Sequence, residues 1–376
     1  MKRQQGYTYQ DVGVLTNEGL GLNALLRWVR RTEDFRKGQK TGKSVLDIGY
    51  FANVIDLGHG VGLAISTDGV GTKILIAEMV GRYDTIGIDC VAMNVNDVIC
   101  VGAEPISMLD YIAIEKATPD ILQAIGQGLY EGARQAGISI VGGEIAQIAE
   151  MVRGIEEEKG LDLVGMCVGI VPIDKVNIGQ SVTAGDVIVG LRSSGIHSNG
   201  LTLARHTLLT KGKLKVDTYV PDLQRTVGEE LLVPTHIYVP EVLDLLRQDL
   251  PLKALVNITS DGFLNLTRIQ AKVGFNITNL PEPQLIFKLI QGLGDIDDAE
   301  MYRVFNMGIG FCVIAPNDGK TPESIITTAY KYGIDAYKIG EVINDPEKNV
   351  SIPQVSLVGQ GDRFHKKYST FPPLTN

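Results

Sequence analysis

The sequence predicts an α/β protein of the α+β type, built from two domains. Its 376 residues exceed the usual size of one domain. Apolar runs of strand length alternate with helical patterns in both halves, and a polar, glycine-containing connection separates the halves near residue 175. We therefore predict an N-terminal domain over 1–174, a C-terminal domain over 175–345 and a peripheral tail over 346–376.

In the first half, a helix is predicted over 84–102 because apolar residues recur there every three or four positions. Thr118 and Pro119 have the residue types that begin a helix, and Gly137 has the type that ends one. Strands are predicted for the apolar runs at 60–66, 106–114, 138–144 and 161–171.

In the second half, strands are predicted at 186–192, 254–259, 308–315 and 336–342. Helices are predicted from Leu201 onward, around 224–232, around 240–248, after Ser260 and Asp261, and over 322–333.

Composition excludes several classes of protein. The net charge of −9 argues against a general nucleic-acid-binding protein, which needs a basic face. The four cysteines, scattered through apolar runs without a CxxC pair, argue against zinc and for buried, reduced thiols. No apolar run approaches the roughly 20 residues of a membrane helix, and the N-terminus lacks the apolar core of a signal peptide. We expect a soluble, cytoplasmic protein.

The stretch "STDGVGTK", residues 66–73, follows an apolar run and admits two interpretations. Asp68-Gly69 is a common turn between two hydrophobic segments. Alternatively, small residues would let the backbone approach a phosphate, while Lys73 supplies a charge and Asp68 binds a divalent cation. The spacing matches neither the P-loop pattern nor GxGxxG, so this stretch alone does not decide.

A second polar cluster lies within the predicted helix over 84–102. Asp89 and Asn96 are seven residues apart and nearly eclipsed on a helix, with Asp97 beside them. Unpaired buried carboxylates are costly, and a divalent cation would compensate for them. An exposed, capped helix end is the alternative interpretation of Asp97.

Further polar residues follow predicted strands. "VGGE" puts Glu144 after two glycines, and "SSGIHSNG" gathers Ser194, His197 and Asn199 in one loop, a composition suited to anions or metals but also to ordinary turns. "EMYRVFNMGIG" puts Arg303 and Asn306 ahead of a strand.

Together these motifs resemble the aminoimidazole ribonucleotide synthetase family, also called phosphoribosylformylglycinamidine cyclo-ligases. The resemblance runs from "YTYQDVGV" (7–14) to about Val342 and includes "STDGVGTK", "DVICVGAEP", "SSGIHSNG" and "PTHIYV" in the family's order. It implies a two-domain synthetase fold, with an N-terminal mixed sheet that forms a barrel in a homodimer and a C-terminal α/β sandwich. It also implies ATP, Mg²⁺, a small ribonucleotide substrate and the metal-and-phosphate interpretation of residues 66–73.

The resemblance also implies roles for individual residues. Asp68 and Asp97 match metal-binding positions, and Lys73, His197 and Asn199 match catalytic ones. Ser194, Arg303 and Asn306 would hold the substrate. The nucleotide would be bound by Thr67, Gly69, Gly71, Thr72, Lys73, Asp110 and Glu144.

Three segments depart from the family pattern. One is "SVLDIGYFANVIDLGHG", in place of a glycine-rich arm, where Asp47 and Asp56 are either extra ligands or solvated loop carboxylates. The usual "HITGGG" is "NITSDG" here, with Asn257 in place of histidine and Ser260 and Asp261 in place of glycines. A carboxylate at Asp261 would repel a phosphate unless a metal or an arginine intervenes. The segment after "VGG" has Ile145 and Gln147 where the family has a hydroxyl and a carboxylate. Alternatives to the cyclo-ligase are an ATP-dependent enzyme acting on another amide or carbonyl, and a non-catalytic nucleotide-binding regulator.

Overall fold

The computed structural model describes residues 7, 8, 10–12, 18–38 and 41–366. The first half contains a six-stranded mixed sheet, in the order β1-β2-β3-β6-β4-β5. All neighbouring strands in it are antiparallel except β4 and β5, which are parallel. The strands are β1 (Lys43–Ser44), β2 (Asn53–Gly58), β3 (Val61–Gly69), β4 (Glu104–Ile114), β5 (Ser139–Gln147) and β6 (Leu161–Pro172).

The helices of this half are α1 (Glu18–Val29), α2 (Lys73–Val80), α3 (Asp84–Cys100) and α4 (Pro119–Ala136). The layer over one face of the sheet is formed by α3 and α4. α3 packs on β3 and β6 with α4 outside it. The two helices approach closely because a Cβ atom on Gly128 would lie 1.9 Å from the carbonyl oxygen of Asp84. The predicted start and end of α4 are confirmed: Pro119 occupies its first turn and Gly137 follows it with φ of 68°.

The opposite face of the six-stranded sheet is apolar and open. β6 alternates strictly, so its odd-numbered residues face α3 and its even-numbered residues face outward. Met166 and Ile170 on β6 are large exposed apolar side chains, and so are Leu109 and Tyr111 on β4. Leu109 pairs with Met166, which puts both side chains on the same open face.

The second half contains an eight-stranded mixed sheet, in the order β10-β12-β7-β13-β11-β14-β15-β16. Its strands are β7 (Val187–Arg192), β10 (Ala254–Asn257), β11 (Gly274–Ile277), β12 (Ile309–Ala315), β13 (Ala336–Ile343), β14 (Val350–Ile352), β15 (Leu357–Gln360) and β16 (Arg363–Lys366); the short strands β8 (Tyr219–Val220) and β9 (Arg225–Thr226) pair separately.

The helices of this half are α5 (Leu201–Arg205), α6 (Val227–Leu231), α7 (Val239–Arg247), α8 (Leu285–Gly294), α9 (Asp298–Val304) and α10 (Lys320–Lys331). The helix predicted after Asp261 is a 3-10 helix, Gly262–Arg268. α3 contacts β10 and α7 as well as its own sheet, so it is packed between the two halves.

The prediction of a peripheral tail is wrong for the described part of it. β14 pairs in parallel with β11, and β15 and β16 extend the same sheet. Val350, Ile352, Leu357 and Phe364 are buried in the core. Residues 367–376 lie outside the described residues. The sequence pattern missed these strands because they are only three or four residues long.

The prediction of buried thiols is confirmed, because all four cysteines are free and buried. Within the part of the chain that the structure describes, no helix has the length and apolar character needed to cross a bilayer.

Candidate active site

A cavity of about 350 Å³ lies between the two halves. The turn after β3 and the inner face of α3 form one wall. The loop before α5 and the loop after β10 form the other. The cavity is lined by Asp68, Gly69, Val70, Gly71, Thr72, Met93, Asp97, Ser198, Asn199, Gly200, Leu201, Thr259, Ser260 and Arg268. The structure thus brings together the predicted residues Asp68, Gly69, Gly71, Thr72, Asp97 and Asn199.

Asp68 is fixed at the end of β3 by α3. Its backbone N–H donates to Asn94 Oδ1 at 3.0 Å, and Asn94 Nδ2 donates to the Asp68 carbonyl at 3.2 Å. The Gly69 N–H donates to Asp68 Oδ1 at 2.7 Å. Burial raises the pKa of Asp68, and the Gly69 hydrogen bond lowers it in part. The carboxylate is therefore held rigidly where it lacks full hydration.

Asp97 approaches the same cavity from α3. Asn257 Nδ2, at the end of β10, donates to Asp97 Oδ1 at 2.9 Å. Burial raises the pKa of Asp97 to about 7; the Asn257 hydrogen bond opposes this, the charge of Asp68 adds to it, and the charge of Arg268 opposes it. A divalent cation between Asp68 and Asp97 would relieve the repulsion.

The carboxylates of Asp68 and Asp97 fit a Mg²⁺ ion that takes its other ligands from water and phosphate. Among the described residues, no cluster of three or more His, Cys, Asp or Glu side chains forms a closed metal cage. Mg²⁺ is commonly held by one or two carboxylates together with water and substrate phosphates. Asp68 and Asp97 supply such a pair, with room beside them for phosphate oxygens.

The loop before α5 is held against the first half. Ser198 Oγ donates to Asp89 Oδ1 on α3 at 3.0 Å. Thr202 Oγ1 lies 2.9 Å from Thr72 Oγ1, which joins α5 to the turn after β3. Gly200 has φ of 77°, and a Cβ atom there would lie 2.3 Å from Phe305, so only glycine fits. These contacts fix the position of Asn199 at the cavity.

Lys73 is not among the residues that line the cavity, and its predicted phosphate contact stays a prediction. Its side chain is fully buried, and its ammonium lies 2.8 Å from Asp89 Oδ2. Lys73 Nζ also donates to Asp89 Oδ1 at 2.9 Å and to the Val233 carbonyl at 2.6 Å. Through these contacts Lys73 joins α2, α3 and the segment before α7.

His197 is likewise a structural residue rather than a group facing the cavity. It is 3% exposed, and its Nε2 accepts a hydrogen bond from the Ser194 N–H at 3.2 Å. Burial holds the pKa of His197 well below its usual range, and the charge of Lys73 lowers it further. The predicted catalytic role of His197 stays a prediction.

Ser194 and Asn306 also organise this loop instead of lining the cavity. Ser194 Oγ donates to the Pro234 carbonyl at 2.6 Å. Asn306 is buried: its Nδ2 donates to the carbonyls of Gly195 and Ile196, and its Oδ1 accepts from Ser193 Oγ. The predicted substrate contacts of Ser194 and Asn306 stay predictions.

Arg303 lies on α9 and forms an ion pair with Glu300 at 2.7 Å, also away from the cavity lining. Its predicted contact with substrate stays a prediction.

Asp110, Glu144 and Thr67 lie on the six-stranded sheet beside the cavity. Asp68 and Asp110 both pair with Gly165, on opposite sides of β6, so the two carboxylates share the face that α3 covers. The second glycine of "VGGE", Gly143, leaves room for the Asp110 carboxylate. A Cβ atom at that position would lie 2.5 Å from Asp110 Oδ1. Glu144 and Thr67 are exposed, and strand alternation turns Thr67 to the open face. Their predicted nucleotide contacts stay predictions.

The polar side chains of Asp89, Asn96 and Asp97 on α3 have partners that the sequence did not reveal. Asp89 is paired with Lys73, and it accepts from the Thr235 N–H at 2.7 Å. Asn96 Nδ2 donates to the His236 carbonyl, and Asn96 Oδ1 accepts from the Tyr238 N–H. Of these three side chains, only that of Asp97 lines the cavity. The other two bind the backbone of the second half.

Sequence reasoning missed Arg268, which lines the cavity and lies 3.2 Å from Asp261. It also treated Asn257 only as a departure from the family, whereas Asn257 orients Asp97. The one feature of the sequence that pointed to an arginine was Asp261, whose carboxylate would repel a phosphate unless a cation lay nearby.

The fold and the carboxylate pair at the junction of two α/β halves define a two-domain protein of the AIR synthase type. The family model described as "AIR synthase related protein, N-terminal domain" matches residues 49–171. The family model for the corresponding C-terminal domain matches residues 183–353. The chain belongs to the phosphoribosylformylglycinamidine cyclo-ligase family.

Curated relatives and a solved structure support this membership. The chain is 46% identical to the phosphoribosylformylglycinamidine cyclo-ligase of Methanocaldococcus jannaschii, over 91% of this chain and 94% of that protein. It is also 46% identical to the enzyme of the same name from Methanothermobacter thermautotrophicus, over 78% and 83%. A structure described as AaThiL complexed with AMPPCP and TMP shares the fold, with a TM-score of 0.61, 16% identity, and 93% and 99% of the two chains covered.

Proposed function

We propose that this protein uses ATP to cyclise formylglycinamidine ribonucleotide, a small ribonucleotide, giving aminoimidazole ribonucleotide, ADP and phosphate. The observation that carries this proposal is the pair Asp68 and Asp97 in one cavity between the halves of a cyclo-ligase fold. Among the described residues that line this cavity, Arg268 is the one basic side chain, which gives no support to nucleic-acid binding. A cytoplasmic location fits a soluble enzyme of purine synthesis.

The reaction needs the γ-phosphoryl group of ATP to be transferred to the formyl oxygen of the substrate. The neighbouring nitrogen then attacks the same carbon, the ring closes, and the carbon–oxygen bond breaks to release phosphate. Enzymes promote such transfers chiefly by positioning the reactants and stabilising charge. A protein that does this needs rigid carboxylates, small residues near the phosphates and a site shielded from water.

The residues of the cavity meet these needs. Asp68 and Asp97 would hold Mg²⁺, which neutralises phosphate charge when it is bound. Gly69 and Gly71 leave the backbone of the turn accessible to phosphate oxygens. Asn199 and Ser260, on the other wall, offer neutral hydrogen-bonding groups to the substrate.

The test is phosphate release from ATP and Mg²⁺, with and without formylglycinamidine ribonucleotide, while the aminoimidazole product is followed. We expect phosphate release that depends on the ribonucleotide, with one product molecule formed per phosphate. Phosphate release without ring closure would contradict the proposal and favour an enzyme acting on another amide or carbonyl. ATP binding with no turnover would favour a nucleotide-binding regulator.

We also propose that the protein is a homodimer joined through the open face of the six-stranded sheet. Leu109, Tyr111, Met166 and Ile170 expose apolar surface there, and adjacent exposed apolar side chains commonly mark a contact surface. Burying this face against its copy would close the two sheets into one barrel, the arrangement implied by the family resemblance.

Substituting Met166→Glu is expected to convert the dimer into a monomer, because each copy would bring a charge into the apolar contact. Light scattering after size-exclusion chromatography measures the mass. Tyr330→Glu is the matched control, since Tyr330 is 75% exposed and its helix, α10, packs against the eight-stranded sheet of the second half. A dimer that survives Met166→Glu unchanged would argue against this interface.

A further inference from the structure

A second cavity, of about 330 Å³, lies next to the first and shares Arg268 with it. One side is the segment 45–50 that leads into β2, and the other is the chain around Arg268 in the second half. Besides Arg268, its polar side chains are Asp47, Tyr50 and Gln270, and its apolar lining comes from Val45, Leu46, Ile48 and Ile178.

Arg268 is the one basic side chain that lines either cavity among the residues described. Its guanidinium lies over the ring of Phe51, with 4.9 Å from Cζ to the ring centre. Its Nη2 donates to Asp261 Oδ2 at 3.2 Å, and its side chain remains 33% exposed. The remaining N–H groups are free to bind an anion, since a guanidinium has five donors.

The backbone on both sides of Arg268 is anchored by the strand-rich C-terminal segment. Lys348 Nζ donates to the carbonyls of Thr267 and Ile269, which flank Arg268. The Gln270 N–H donates to the Ile178 carbonyl at 2.8 Å. Arg268 therefore projects from a fixed backbone into the junction of the two cavities.

We propose that Arg268 binds the phosphate of the ribonucleotide substrate, with the ribose in the second cavity and the reacting formyl group toward Asp68 and Asp97. This inference rests on the proposed function. The substrate is a dianion at its phosphate end, so its cavity needs a cation, and a guanidinium matches phosphate oxygens bidentately. Asp47 and Gln270 provide acceptors and donors suited to ribose hydroxyls.

Asp261 takes a defined part in this arrangement. In the absence of substrate it holds the guanidinium in place, through an exposed pair that contributes little to stability. When a phosphate binds, the carboxylate is a nearby like charge and weakens the complex. The residue pair therefore tunes affinity: Arg268 supplies the attraction, and Asp261 limits it.

The first experiment compares the wild-type protein with Arg268→Gln and Arg268→Lys in steady-state turnover. We expect Arg268→Gln to raise the KM for formylglycinamidine ribonucleotide by about 10- to 100-fold and to leave the KM for ATP within about threefold. Arg268→Lys should restore part of the affinity, because it keeps the charge but not the bidentate geometry. Thermal unfolding of each variant verifies that it folds.

The matched control is Arg247→Gln. Arg247 on α7 is also an exposed arginine in an ion pair, with Glu104 at 3.3 Å, and it lines neither cavity. Both KM values should stay at wild-type levels in this variant.

The substitution Asp261→Asn should change the KM for the ribonucleotide in the opposite direction. We expect the KM for the ribonucleotide to fall by up to about tenfold at low salt, with the difference shrinking as salt screens the carboxylate. Calorimetric binding of aminoimidazole ribonucleotide, which carries the same phosphate, provides a measurement independent of turnover. Its affinity should fall in Arg268→Gln and rise in Asp261→Asn.

The possible outcomes distinguish a failure of the Arg268 proposal from a failure of the proposed function. An active wild-type protein whose ribonucleotide KM and product affinity are unchanged in Arg268→Gln would overturn this inference alone. A raised KM for ATP with an unchanged ribonucleotide KM would also overturn it, by assigning Arg268 to the nucleotide phosphates. A wild-type protein that makes no aminoimidazole product would overturn the proposed function and this inference with it.

Discussion

Asp97→Asn should lower Mg²⁺-dependent turnover by about a thousandfold or more, because it removes one of two carboxylates available to the cation. The substitution keeps the shape of the side chain, and the amide can still accept from Asn257 Nδ2. Turnover is measured as phosphate release at saturating substrate over a range of Mg²⁺ concentrations. Asp362→Asn is the control, since its carboxylate is 81% exposed and remote in sequence from the cavity lining. Unchanged activity in Asp97→Asn would eliminate the assignment of Asp97 to the metal.

The same substitution should stabilise the metal-free protein at alkaline pH. The pKa of Asp97 is raised to about 7 in the folded protein, above its usual value of 3.8. The folded state therefore holds this proton more tightly than the unfolded state, so stability is lost as pH rises from about 4 to about 7. Asparagine carries no such penalty. We expect Asp97→Asn to unfold at a higher temperature than wild type at pH 8 without Mg²⁺, and Mg²⁺ to raise the wild-type value more than the variant's.

Lys73→Met should destabilise the protein by about 3–5 kcal/mol, the usual cost of removing one partner from a buried ion pair. Asp89 would keep its contacts with Ser198 and Thr235 but would lose the charge that balances it. Denaturant unfolding measures the loss. Lys338→Met is the comparison, because Lys338 pairs with Glu323 at the surface and should lose less than about 1 kcal/mol.

A second readout separates this structural role from a direct contact with phosphate. If Lys73 acts only through the fold, the KM for ATP in Lys73→Met should change little at a temperature where the variant is folded. A variant of wild-type stability with a greatly raised KM for ATP would instead support the phosphate contact.

The sequence was most informative where a local pattern determines the local structure. The α4 helix followed from Thr118, Pro119 and Gly137, whose effects on the backbone need no distant partner. Asp68 was identified for a similar reason, because it lies at the end of an apolar strand pattern. Short strands such as β14 could not be predicted, since three residues carry almost no periodicity and depend on pairing with β11.

The sequence could not predict the contacts of a candidate site residue where the partner of its side chain lies far along the chain. Lys73 has the residue type of a phosphate ligand, but its charge is directed at Asp89 and at the carbonyl of Val233, 160 residues away. His197 likewise has the residue type of a catalyst, yet its contacts bury it. Arg268 is the opposite case: no motif singled out in the sequence includes it, and only the folded chain places it between two cavities.

The central position of α3 has a consequence for how the protein unfolds. Three polar side chains on this helix, Asp89, Asn96 and Asp97, bond to Thr235, Tyr238 and Asn257 of the second half. A fragment ending near residue 174 would leave those groups without partners on an exposed apolar helix. We therefore expect the two halves to unfold in one cooperative transition, although each half matches its own family domain.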